Sequence, residues 1–143
     1  MRWLRQRARS EAEVRAKLTQ LGFSQPAIDS ALKKLTSLRL LDDESFARNW
    51  ALSRIEGRGY GPLRVDRELR QKGIAPSVIS QILEETFRGE GETRRAKLLL
   101  EKKFGHQDLT RPKILRRAIN FLQGRGYRDS AIAAIFLQSF DND

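Results

Sequence analysis

The chain has 143 residues, 39% of them apolar, which is enough for a small globular core and excludes a disordered tail. It contains no cysteine, and no apolar run approaches the ~18 residues that a membrane helix needs, so disulfide frameworks, thiolate metal sites and membrane spans are excluded. A net charge of +10 directs attention to polyanions and acidic proteins as partners. The charge is uneven: residues 1–40 carry nine basic and three acidic side chains, residues 41–91 eight and nine, and residues 92–143 eleven and six. Because residues 1–5 lack the apolar core of a signal peptide, the expectation is a soluble protein of the reducing cytoplasm.

Residues 1–8 predict a short first helix, amphipathic only through Trp3 and Leu4. The run Ser10-Glu11-Ala12-Glu13 has the form of a capping box, in which Ser10 and Glu13 bond each other's backbone amides and open a second helix. Val14, Leu18 and Leu21 recur as its buried stripe, and Gly22 supplies the left-handed residue that ends it. A third helix is expected over residues 25–38, burying Ile28, Ala31, Leu32 and Leu35. The acidic run Asp42-Asp43-Glu44 precedes a fourth. Adjacent carboxylates suit metal or acid–base chemistry, but a helix N-terminus attracts acids for electrostatic reasons alone. The fourth helix continues to about residue 56, with Phe46, Trp50, Ala51 and Ile55 on one side as core.

Gly57-Arg58-Gly59-Tyr60-Gly61-Pro62 is the strongest break in the chain. Its spacing matches neither the Walker loop nor the dinucleotide-binding turn, and no strand precedes it, so it carries no nucleotide-binding reading. Helices are expected over residues 62–72 and 76–87, the latter with Pro76 in its first turn. Residues 88–91 separate a helix over 92–104, and a polar connection over 105–112 holds His106, the one histidine. One histidine and no cysteine leave no parts for a zinc site or a serine or cysteine nucleophile system, so the reading carries no metal, no cofactor and no enzymatic activity. Helices over 112–123 and 128–140 complete the chain, with residues 141–143 expected to fray. Sustained period-two alternation is absent, so no sheet is expected.

Three turns repeat one pattern: a glycine that ends a helix, an apolar residue after it, then apolar pairs three or four apart. They centre on Gly22, Gly73 and Gly126, at offsets of 51 and 53 residues. Recurrence at a fixed period means tandem supersecondary units. The expected fold is therefore all-α, with three tandem three-helix repeats over residues 1–40, 41–89 and 90–143 in an elongated curved array, the first with a shortened leading helix.

Several runs, in this order, resemble the bacterial RecX regulators: Arg9-Ser10-Glu11; Leu41-Asp42-Asp43-Glu44-Ser45-Phe46-Ala47; and Gly59-Tyr60-Gly61-Pro62, followed by Glu68-Leu69 and Lys72-Gly73-Ile74. The resemblance covers nearly the whole chain, and it is the order and spacing of the runs that is specific. At its start the chain departs from the family, where a longer first helix is usual. The resemblance implies a non-enzymatic modulator that binds the RecA recombinase or its nucleoprotein filament and limits filament growth, strand exchange, ATP hydrolysis and co-protease activity. From the residues alone, a helical protein acting directly on DNA through its lysines and arginines is the alternative.

On a helical wheel, Val65 and Leu69 face inward and Arg64, Arg67 and Arg70 outward; Lys113, Arg116 and Arg117 lie outward of Ala118 and Leu122 in the same way. The first repeat carries Glu13 at the position equivalent to Arg64 and Arg117. These six cations, with Arg58 and Tyr60 of the glycine-rich turn, are the candidate partner-binding residues, facing either the acidic surface of a RecA filament or its DNA. Ordinary solvated helix faces would carry the same pattern.

Overall fold

The computed structural model describes residues 10–37 and 42–141. These form eight helices and, among the described residues, no strand: α1 (Glu11–Gln20), α2 (Gln25–Ser37), α3 (Asp43–Arg58), α4 (Pro62–Gln71), α5 (Pro76–Thr86), α6 (Gly91–Phe104), α7 (Pro112–Gly124) and α8 (Asp129–Asp141). The all-α expectation holds. The short helix expected over residues 1–8 lies outside the described residues, as do residues 142 and 143.

The helix starts follow the expected chemistry. Ser10 Oγ accepts from the Glu13 amide at 3.1 Å, the serine half of the capping box. At α3, Asp42 accepts from both the Ser45 amide (3.0 Å) and the Ser45 hydroxyl (2.8 Å). Those two bonds hold the Asp42 carboxyl below the usual carboxylate range.

The three repeated turns share one set of bonds. The glycine amide donates three residues back, Gly22 to Thr19, Gly73 to Arg70 and Gly126 to Gln123, and the following amide donates five back, Phe23 to Leu18, Ile74 to Leu69 and Tyr127 to Leu122, all at 3.0–3.1 Å. This is the Schellman arrangement, and it needs a left-handed residue at its centre. The glycines sit there with φ of +91°, +82° and +96°. Their apolar followers differ: Ile74 and Tyr127 are buried, whereas Phe23 is 53% exposed. Leu21, expected in the buried stripe of α1, is 60% exposed, because α1 has already ended and the turn carries Leu21 off the stripe.

Space divides the chain differently from sequence. One compact unit gathers Met1–Ala51 with Glu68–Ile82, the other Leu52–Arg67 with Leu83–Asp143. In the first, Val14, Ile28, Leu32 and Leu35 form a small core with Leu18 against it. Arg15 joins α1 to α2 through Asp29 at 2.9 Å, and the Glu11 amide donates to Asp43 at 2.9 Å. The Trp50 indole N–H donates to Glu68 at 3.2 Å while the Lys72 ammonium lies 4.6 Å from the Trp50 ring. In the second unit α6 packs on α7 and α8 over a larger core: Ala96, Leu100, Phe104, Ala118, Leu122, Tyr127, Ile132 and Ile135.

Candidate partner-binding surface

The glycine-rich turn at residues 57–62 is not a loose break. α3 runs through Gly57 to Arg58, and Gly59 turns the chain at φ +69°. The turn then meets residues 124–127 main chain to main chain: the Gly61 amide donates to the Arg125 carbonyl at 2.7 Å and the Leu63 amide to the Gly126 carbonyl at 2.9 Å. Side chains close the joint from both sides. Arg125 donates to the Arg58 carbonyl (3.0 Å), the Tyr127 hydroxyl to the Gly59 carbonyl (2.9 Å), and Arg64 to the Gly124 carbonyl (3.2 Å). Such an approach requires the absence of Cβ atoms. A Cβ on Gly61 would stand 2.7 Å from the Gly126 oxygen, and one on Gly126 would stand 2.5 Å from the Arg64 nitrogen. Tyr127, 2% exposed, has its phenol pushed up to about 12 by burial, with nearby Arg95 pulling the other way.

This clasp changes the placement of two candidates. Tyr60, expected to face a partner, is buried at 5% exposure, and the Arg64 guanidinium covers its ring at 4.1 Å. Arg64 is accordingly half-buried, its guanidinium shared between that ring and the Gly124 carbonyl, so it builds the clasp instead of presenting a free charge. Arg67 and Arg70 are exposed on α4, opposite to buried Val65 and Leu69 as the wheel required. On α7, Lys113, Arg116 and Arg117 are exposed while Ala118 and Leu122 are fully buried. Arg58 is exposed and lines a groove of about 650 Å³ with Lys102, Lys103, Phe121 and Arg125. The structure thus brings Arg58, Tyr60 and Arg64 together with the 124–127 turn. Arg125, Lys102 and Lys103 were missed by sequence reasoning, since their neighbours are brought in from distant segments.

Among the described residues no group of three or more His, Cys, Asp or Glu could hold a metal ion, and no helix is long and apolar enough to cross a membrane. The geometry defines an all-helical protein of short helix-turn-helix units that displays cations on its helix faces. The comparisons agree with that class. Family models described as the RecX first and second three-helix domains match residues 1–35 and 42–83. A regulatory protein RecX of Mycobacterium sp. (strain KMS) is 35% identical over 134 residues, covering 91% of this chain and 73% of the relative. One from Halorhodospira halophila (strain DSM 244 / SL1) is 33% identical over 144 residues, covering 100% and 87%. Among solved structures, RecX from Lactobacillus salivarius shares the fold at TM-score 0.83 and 21% identity, over 99% of this chain and 92% of that one. A second regulatory protein RecX structure matches at TM-score 0.79 and 26% identity, this chain spanning 66% of its length. The chain belongs to the RecX family.

Proposed function

We propose that this chain binds the RecA recombinase or its nucleoprotein filament in the cytoplasm and restrains filament growth, strand exchange, ATP hydrolysis and co-protease activity. Membership of a family whose members are named regulatory proteins supports the reading. The exposed cations of α4 and α7, set opposite fully buried apolar residues, supply the physical means, because a basic helix face can meet an acidic protein surface or a phosphate backbone. The same proposal keeps three three-helix repeats over residues 1–40, 41–89 and 90–143. The three identical Schellman turns support it.

The experiment is RecA-dependent ATP hydrolysis on single-stranded DNA, with the double variant Arg67→Glu and Arg70→Glu. Arg64 is left intact because it builds the clasp. Exposed substitutions of this kind change stability by under about 0.5 kcal/mol, so a folded variant that no longer slows hydrolysis is the expected result. A variant that inhibits like the parent refutes the role of this face. The net charge of +10 favours direct DNA binding as a second reading. Equal binding to bare and RecA-coated strands, falling steeply with salt and lost with both arginines, establishes that reading instead.

A further inference from the structure

The second unit carries an open trough along α6. The groove of about 650 Å³ and a hollow of about 190 Å³ adjoin along α6, with Gly59, Leu99 and Lys102 lining both. Its rim is cationic, with Arg58 from the end of α3, Lys102 and Lys103 from α6, and Arg125 from the turn after α7. The acid at the rim, Glu56, is held by Arg95 at 3.0 Å. Favourable interaction with the α6 dipole accounts for Lys102 and Lys103 in its last turn. The same chemistry favours Arg58 in the last turn of α3 and Arg125 at the C-cap of α7, but it does not dictate that these three helix ends converge on one groove. Arg125 uses one donor on the Arg58 carbonyl and has others to offer.

The floor is apolar. Leu98 and Leu99 line the hollow and Phe121 the groove, and Leu98 is 61% exposed. An exposed leucine that shares the hollow with Lys102, beside the cationic groove, fits a ligand that is both acidic and apolar. Nucleic acid fits less well, because the ring positions that a stacked base would take are occupied by cations: Arg64 lies 4.1 Å from the Tyr60 centroid, and Lys103 and Arg125 lie 4.6 and 5.1 Å from that of Phe121.

We propose that this trough binds an acidic segment of a partner protein, an apolar side chain seating on Leu98 and Leu99 while flanking carboxylates meet Lys102, Lys103, Arg58 and Arg125. The proposal extends the regulatory reading through residues different from the exposed cations of α4 and α7. It is tested without RecA, so that either can fail alone.

The probe is a short fluorescein-labelled peptide of alternating glutamate and leucine pairs, titrated with the full chain and read by anisotropy. The variants Lys102→Glu with Lys103→Glu, and separately Leu98→Ser, alter exposed side chains, and their folding is verified by thermal melts in circular dichroism. Each should weaken the peptide by at least about tenfold, since both charge and apolar contact are required. Lys97→Glu reverses one charge, half the change of the double variant, at an exposed site of α6 outside the trough and should leave binding within about twofold of the parent. Four results overturn the proposal: no binding at low ionic strength; equal loss with Lys97→Glu; equal binding of a peptide with alanine in place of leucine; or tighter binding of an oligothymidylate of matched charge that is lost with the same variants.

Discussion

Replacing Gly126 by alanine should damage the fold far more than the same change at Gly22, although both glycines sit in the same left-handed turn with nearly equal φ, +96° and +91°. Alanine in that conformation costs about 1 kcal/mol wherever it occurs. At Gly22 nothing lies within 4 Å of the added Cβ, so that strain is the whole effect. At Gly126 the Cβ would stand 2.5 Å from both the nitrogen and the Cβ of Arg64 and 3.0 Å from its Cα, a collision with backbone that no side-chain rotation relieves. The turns must separate, and the bonds from the Gly61 and Leu63 amides to the Arg125 and Gly126 carbonyls are then lost. The amide of buried Gly61 left without an acceptor costs about 1–3 kcal/mol, which, added to the strain, brings the expected loss for Gly126→Ala to roughly 2–4 kcal/mol. Urea unfolding followed by far-ultraviolet circular dichroism measures both variants against the parent. If the two losses agree within about 0.5 kcal/mol, the clasp contributes nothing beyond local strain and the reasoning fails.

The buried Tyr127 phenol, with its pKa raised to about 12 from an ordinary 10.0, makes the fold sensitive to alkali: the folded state holds the proton that the unfolded chain releases, so stability declines as pH rises from 10 towards 12. Tyr127→Phe should cost about 1 kcal/mol at neutral pH through the lost bond to Gly59 and should flatten this alkaline decline; an identical decline in the variant sinks the assignment. Asp42→Ala should lower stability by about 1 kcal/mol at pH 7 by removing the α3 cap. Because the Asp42 carboxyl titrates below its ordinary value, its contribution persists above pH 3.8 and disappears as pH falls below that, so parent and variant curves should converge in acid; parallel curves there contradict the cap's ionic character. Amides of α1 and α2, over a core of four buried residues, should exchange faster than those of α6 to α8, over a core of eight, and equal protection would show that core size does not set local stability here.

What the sequence disclosed is what local physics determines. The Schellman glycines, the cap at Ser10, the acidic start of α3, and the buried pairs Val65 with Leu69 and Ala118 with Leu122 all depend on neighbours within a few residues. The clasp was invisible because its central bonds join main-chain groups of segments sixty residues apart, and a backbone amide leaves no signature in residue type. Tyr60 illustrates the consequence. In a turn rich in glycine and arginine an aromatic residue reads as exposed, yet the distant Gly126 turn and the folded-back Arg64 bury it. The basic trough escaped notice for the same reason, since Arg58, Lys103 and Arg125 have no periodic relation to one another.

The clasp also bears on the order in which the chain folds. Each Schellman turn closes a segment of six residues, whereas the clasp joins partners separated by 60 to 68 positions, Arg64 with Gly124 and Gly59 with Tyr127. Closing so long a loop costs conformational entropy that nothing returns until both turns already have their native shape. The clasp is therefore expected to form after the rate-limiting barrier, on the native side of the transition state. Its contribution is then to lifetime and not to folding speed: in a chevron plot, weakening it through Tyr127→Phe should raise the unfolding arm and leave the refolding arm nearly where it was.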